Sequence, residues 1–147
     1  MTARERFLIH LAGYIRIPYV WAGSSMKTGL DCSGFAQLAL NFLKLDPPGD
    51  QTAHALAMHF LDHGILIACV VDSDLGDLLF FGKDGKVTHV AIALGDGLMI
   101  EAGGGGSTTT SVEIARAQGA EVRIVSVLRR SDLLYVIRPH GLPWSST

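Results

Sequence analysis

The chain has 147 residues, 48% of them hydrophobic and 18% charged, with 17 glycines and a formal net charge of −2. That length suits one domain spanning residues 1–147, large enough to bury a core without staples. The balance of 12 basic against 14 acidic residues excludes a nucleic-acid binder, which needs spare Lys and Arg for phosphates; the apolar fraction excludes disorder, and two cysteines exclude a disulfide framework.

Residues 3–15 place Phe7, Leu8, Leu11 and Ile15 at helical spacing, ahead of the breaker Pro18. Glu5 and His10 interrupt the apolar run, so this is an amphipathic first helix and no signal peptide is expected. A loop with Gly23, Ser24, Ser25 and Gly29 follows. From Cys32 to Leu45 the positions Phe35, Leu38, Ala39, Phe42 and Leu43 are again helical, stopped by Pro47-Pro48-Gly49. Residues 52–63 form a third helix, started by Thr52 and closed by Gly64.

After Gly64 the period changes. Leu78–Phe81, Thr88–Leu94, Leu98–Ala102, Glu121–Leu128 and Leu133–Ile137 are short, apolar and bounded by turns, which predicts strands. Asp84-Gly85 and Asp96-Gly97 stand where hairpin turns belong. The run Ile65 to Val71 is far short of the 20 or so residues of a membrane span, and no span is expected. Helices first and a mostly antiparallel sheet after them predict an α+β fold.

Cys32 falls at the start of the second helix, where free amides and the positive end of the macrodipole favour a thiolate. The same amides can donate to a developing oxyanion. Position alone leaves a small buried hydrophobe equally open. Cys69, among Ile65-Leu66-Ile67-Ala68 and Val70-Val71, reads as part of a core strand.

A thiolate nucleophile needs a base, and the base needs an orienting group. His89 opens an apolar strand in Val87-Thr88-His89-Val90-Ala91-Ile92, and Glu101 lies on the next strand. A three-residue turn, with Gly97 in the left-handed position, pairs Leu94 with Leu98 and therefore Ala91 with Glu101. His89 and Glu101 are then diagonal neighbours on one face. Val90, Ile92, Leu94, Leu98 and Ile100 take the other. A two-residue turn would place His89 and Glu101 on opposite faces.

These residues resemble the NlpC-type cell-wall cysteine peptidases, compact bacterial relatives of papain. The resemblance is carried by Tyr19-x-Trp21-x-Gly23, Asp31-Cys32-Ser33-Gly34, Gly76-Asp77-Leu78-Leu79-Phe80-Phe81 and His89-Val90-Ala91-Ile92, over roughly residues 10–105. It implies a papain-like α+β fold with Cys32 as nucleophile, His89 as base and Glu101 in the third catalytic position. Tyr19 would lie beside the thiolate, with Asp31 and Ser33 lining the substrate cleft. Two departures stand out: Ala22 where the family commonly has Gly, and Glu101 where His is usual. The run Met99-Ile100-Glu101-Ala102 followed by four glycines resembles the variant in phage-encoded members.

Other signals point to no chemistry. His59 and His63 share a face of the third helix near His54, but without an acidic or cysteine ligand they read as a polar face, and no metal or cofactor is expected. Gly103 to Thr110 lacks the phosphate-loop ending, has no strong helix directly after it, and reads as a flexible loop able to close over a peptide. Arg116, Arg123, Arg129 and Arg130 read as solvated, and His140 and the tail Pro143–Thr147 carry no chemistry. The resemblance implies hydrolysis of a peptidoglycan stem peptide at the γ-D-glutamyl to diamino acid bond. An amidase or acyl transferase using the same thioester, or a phage-tail component with a vestigial site, are the alternatives. The enzyme is expected to be cytoplasmic when made, or carried to the wall by a virion or other carrier particle.

Overall fold

The computed structural model describes residues 1–145; the last two residues of the tail, Ser146 and Thr147, lie outside the described residues. Helix α1 spans Ala3–Ala12, three residues shorter at its end than the spacing predicts, because Gly13 caps it. Thr2 and Glu5 form a reciprocal capping box at its start. Of the predicted apolar face, Phe7 and Leu11 are buried while Leu8 and Ile15 stay exposed.

A small hairpin, β1 Ser24–Ser25 and β2 Gly29–Leu30, occupies the predicted loop. Helix α2 covers Cys32–Phe42 and ends before Leu45, because Lys44 turns to a positive φ of 60°. Helix α3 covers Ala53–Asp62 with Thr52 as its N-cap.

The sheet has six antiparallel strands: β3 Gly64–Leu66, β4 Leu78–Lys83, β5 Lys86–Gly95, β6 Leu98–Gly103, β7 Glu121–Ser126 and β8 Leu133–Pro139. Their spatial order is β3-β8-β4-β5-β6-β7. One helix was not anticipated: α4, Val112–Gln118, is capped by Ser111 and closed by Gly119 at φ 66°. Its seven residues are too few for a clear apolar period, so the signal lay in the caps alone.

One face of the sheet carries Leu78, Phe80, Val90, Ile92, Ile100 and Ile137, packed into one core with Phe35, Leu40, Leu56 and Phe60 of α2 and α3. The other face holds a smaller cluster of Leu79, Phe81, Ala91, Ala93, Met99 and Val136, flanked by Ile67 and Val70. The segment around Cys69 corrects the reading of a core strand. Residues 64–66 pair with β8, Ile67 N adds one bond to Val136 O, the chain then leaves the sheet into a 3₁₀ turn at Val70–Asp72, and Cys69 is exposed. An edge strand has one open side, so apolar β-formers there need not be buried.

Among the described residues, no helix is long and apolar enough to cross a membrane.

Candidate active site

The β5–β6 hairpin decides whether His89 and Glu101 meet. Its turn is a two-residue one: Asp96 (φ 55°) and Gly97 (φ 75°) both take positive φ, and Gly95 pairs with Leu98. That corrects the expected three-residue turn. A β-bulge at Leu94 restores the parity, and the strands run on with Ala93 opposite Met99 and Ile92 opposite Ile100. Leu98, expected on the apolar face, is exposed beside the turn.

His89 and Glu101 therefore share a face, and Nε2 of His89 donates to Oε1 of Glu101 at 2.8 Å. An ionised carboxylate only accepts, so the proton sits on Nε2 and leaves Nδ1 for Cys32. Both groups are sealed from water, His89 being 7% and Glu101 2% exposed. Burial opposes charge on His89, but the facing Cys32 and Glu101 outweigh it and raise the imidazole to about 9. Burial likewise opposes charge on Glu101, and His89 and Arg123 overcome it, holding the carboxyl below its ordinary range.

Cys32 is the first residue of α2 and is 8% exposed. Asp31 caps the helix: its Oδ1 accepts from Gly34 N at 2.7 Å and from Ser33 Oγ at 3.3 Å. The third amide of the helix is thus satisfied, while those of Cys32 and Ser33 have no intrahelical partner. Burial raises the Asp31 carboxyl, partly offset by those two donors.

The helix start is pressed onto the preceding loop, with Asp31 N donating to Gly23 O at 3.0 Å. A Cβ at Gly34 would collide with that same carbonyl oxygen. The glycines of the two motifs are there to let two backbones touch.

A cleft of about 420 Å³ opens beside Cys32, lined by Tyr19, Trp21, Asp31, Ser33, Lys86 and Thr88 among others. Tyr19, Asp31 and Ser33 thus line the same cleft as Cys32. Tyr19 is buried, and burial, reinforced by Cys32 and Asp31, pushes its phenol up, so it stays a neutral donor. Trp21, half exposed at the rim, and Lys86 were not singled out for the cleft. A larger groove of about 640 Å³ lies along β7 between Arg16 and Arg116, but neither Cys32 nor His89 lines it.

Two arginines were misjudged as solvated. Arg123 stands directly opposite Glu101 on β7, and its Nε donates to Glu101 Oε2 at 3.1 Å. Arg130 forks onto Asp132 at 2.9 and 2.7 Å and lies 5.1 Å over the ring of Phe81, which in turn is tilted against His89. Nothing local marks Arg123, because the 17 residues between β6 and β7 hide the register.

The glycine-rich segment is anchored rather than loose. Buried Thr109 accepts from Gly106 N at 3.0 Å, donates to Gln118 Oε1 at 2.7 Å, and takes Trp21 N on its carbonyl. On α3, the rings of His59 and His63 stack 4.2 Å apart, and His63 Nδ1 donates to the His59 carbonyl. His54 Nδ1 accepts from Val87 N at 3.1 Å, tying α3 to the cleft wall. Among the described residues, no three His, Cys, Asp or Glu side chains gather as a metal site.

Comparison with known proteins yields one consistent answer. The family model described as NlpC/P60 matches residues 16–129. The chain is 36% identical over 90 residues to the γ-D-glutamyl-L-lysine dipeptidyl-peptidase of Bacillus cereus, covering 59% of this chain and 25% of that protein. It is 38% identical over 89 residues to the murein DD-endopeptidase MepH of Escherichia coli, covering 57% and 30%. The chain thus spans about a quarter to a third of the length of these relatives. The NlpC/p60 domain of the peptidoglycan hydrolase SagA superimposes with a TM-score of 0.65 at 27% identity, over 92% of this chain and 98% of that one. The shared fold and the match over residues 16–129 agree: the chain belongs to the NlpC/P60 family.

Proposed function

We propose that this chain is a cysteine endopeptidase that hydrolyses an amide bond in peptidoglycan stem peptides, with Cys32, His89 and Glu101 as its catalytic groups. One observation carries the reading: a cysteine at a helix start, beside an open cleft, faces an imidazole whose far nitrogen is held by a buried carboxylate.

Cys32 gives its proton to Nδ1 of His89, and the thiolate and imidazolium so formed are the reacting pair. The sulfur attacks the amide carbonyl, and the oxyanion is met by the amides of Cys32 and Ser33 and by the neutral Tyr19 phenol. Nδ1–H then protonates the departing nitrogen, so the C–N bond breaks and a thioester remains. Water, losing a proton to Nδ1, attacks the thioester and releases the acid, which restores the starting pair. Asp31 and Ser33 form the cleft wall against which the peptide lies.

The bond favoured is γ-D-glutamyl to diamino acid. The names of the two relatives, a γ-D-glutamyl-L-lysine peptidase and a DD-endopeptidase, mark different bonds, so the choice is put to experiment. Purified peptidoglycan is digested with the wild type and with Cys32→Ala, and the new termini are read by mass spectrometry. New γ-D-glutamyl termini that vanish in Cys32→Ala support the full proposal. Termini at a D,D bond keep the mechanism and change the substrate, and no new termini overturn the enzyme reading.

A further inference from the structure

We propose that Arg123 is a positioning residue for the candidate catalytic group Glu101: it grips one carboxylate oxygen so that the other stays aimed at His89. The inference deepens the proposed mechanism and rests on reading Glu101 as the group that orients the imidazole.

Glu101 offers its two oxygens to two different cations. Oε1 accepts from His89 Nε2 at 2.8 Å, and Oε2 accepts from Arg123 Nε at 3.1 Å. A glutamate has three side-chain torsions, and an oxygen held on one side only would leave the carboxylate free to turn. Gripped from both sides, it has one orientation. The grip comes from opposite strands, β5 and β7, on either side of β6, and Arg123 is the direct cross-strand partner of Glu101.

The backbone beside the pair is cut to fit it. A Cβ at Gly103 would sit 2.5 Å from Glu101 Oε2 and 3.2 Å from Arg123 Nη2, and one at Gly104 would sit 3.1 Å from Arg123 Nη1. These two glycines, read from the sequence as part of a flexible loop, make room for a carboxylate and a guanidinium side by side. Gly104 also turns at φ 84°, where a side chain is strained.

Charge gives the arrangement a second effect. A neutral third residue would not need a cation behind it. A carboxylate sealed in the sheet does, because burial opposes its charge and His89 alone leaves its second oxygen unsupported. The titratable and charged groups facing the Glu101–His89 pair are Cys32 from α2, Arg123 from β7, and Arg130 with Asp132 from the segment between β7 and β8. Of these only Arg123 bonds to Glu101.

The test needs no substrate, so a chain that fails to cut peptidoglycan defeats the proposed function without touching this inference. In the full chain, the His89 Nε2–H resonance is followed by ¹⁵N-edited NMR, and the rate of Cys32 alkylation by iodoacetamide is measured against pH. Wild type, Arg123→Gln, Arg123→Lys, Glu101→Gln and the Arg123→Gln/Glu101→Gln double variant are compared, with melting curves as the folding control. Arg123→Gln is expected to lose the slowly exchanging Nε2–H signal and to slow alkylation about tenfold, the effect of one charged hydrogen bond. It should also move the acid limb to higher pH, since Glu101 without its cation is easier to protonate. Arg123→Lys, which keeps the charge and loses the Nε donor, should recover part of the rate. In the Glu101→Gln background, Arg123→Gln should add nothing further. An unchanged resonance and acid limb in a folded Arg123→Gln would overturn the inference, as would an equal loss in both backgrounds.

Discussion

At Ala22 the backbone takes φ 60°, a conformation that strains any residue with a Cβ. This is the position where the resemblance leads one to expect glycine, and the left-handed turn is the reason. The turn brings Gly23 under the start of α2, with Asp31 N on its carbonyl. Ala22→Gly should therefore stabilise the fold by up to about 1 kcal/mol, the relief of strain partly offset by the freer unfolded chain. Ala22→Val should do the reverse, and urea denaturation reads both. At Glu101, replacing the carboxylate by the isosteric amide keeps the shape and removes the charge. Glu101→Gln should lower His89 from its raised value towards the ordinary range, because a charged acceptor is lost. Titration of His89 by NMR is the check, and an unmoved midpoint would remove Glu101 from its proposed role.

Helix α2 and strand β4 each depend on how their start is anchored. Helix α2 delivers Cys32 because Asp31 fixes its first turn through Gly34 N and Ser33 Oγ. Asp31→Ala should cost about 1–2 kcal/mol as the loss of a cap. It should also slow Cys32 alkylation more than a remote variant of equal stability, because the first turn frays. Strand β4 is anchored differently. Asp77, fully buried just before it, takes both arms of Arg138 at 2.8 Å and the amide of Asp74. The Gly76-Asp77 motif thus holds β8 to the start of β4 and touches no part of the cleft. Asp77→Ala strands a partly buried guanidinium and should destabilise by about 3 kcal/mol, while the alkylation rate of the folded fraction stays that of the wild type.

For the molecule as a whole, the buried His89–Glu101 pair ties stability to pH. His89 is raised from its ordinary 6.5 to about 9 in the folded state. Its contribution is then complete below pH 6.5 and is lost as pH rises through about 9. Glu101 works in the opposite sense: its carboxyl lies below its ordinary 4.5, so its contribution is present above that value and is lost as pH falls further. Thermal melting followed across pH should show stability falling between pH 6.5 and 9, and the fall should shrink in His89→Ala. The same slope in both proteins would place the titrating group elsewhere.

Much of this molecule was readable from residue order, because the governing interactions span only a few positions. Thr52 capping α3, the alternation in β4 to β6, and a cysteine set just after an Asp–helix boundary are all short-range matters of capping and period. The motifs around Tyr19, Cys32 and His89 carried the family in the same way. The meeting of His89 with Glu101 was right in register but wrong in its reason, since a tight turn and a compensating bulge give the same parity as the longer turn expected. Tertiary structure alone decided the rest. It put Arg123 across from Glu101 over the 17 residues that separate β6 from β7, turned a glycine run into the cradle for that pair, and left Cys69 exposed where the chain leaves the sheet. Local rules describe how a segment prefers to bend, whereas a register between distant strands is set by which faces are buried and which charges are partnered once the whole sheet has closed.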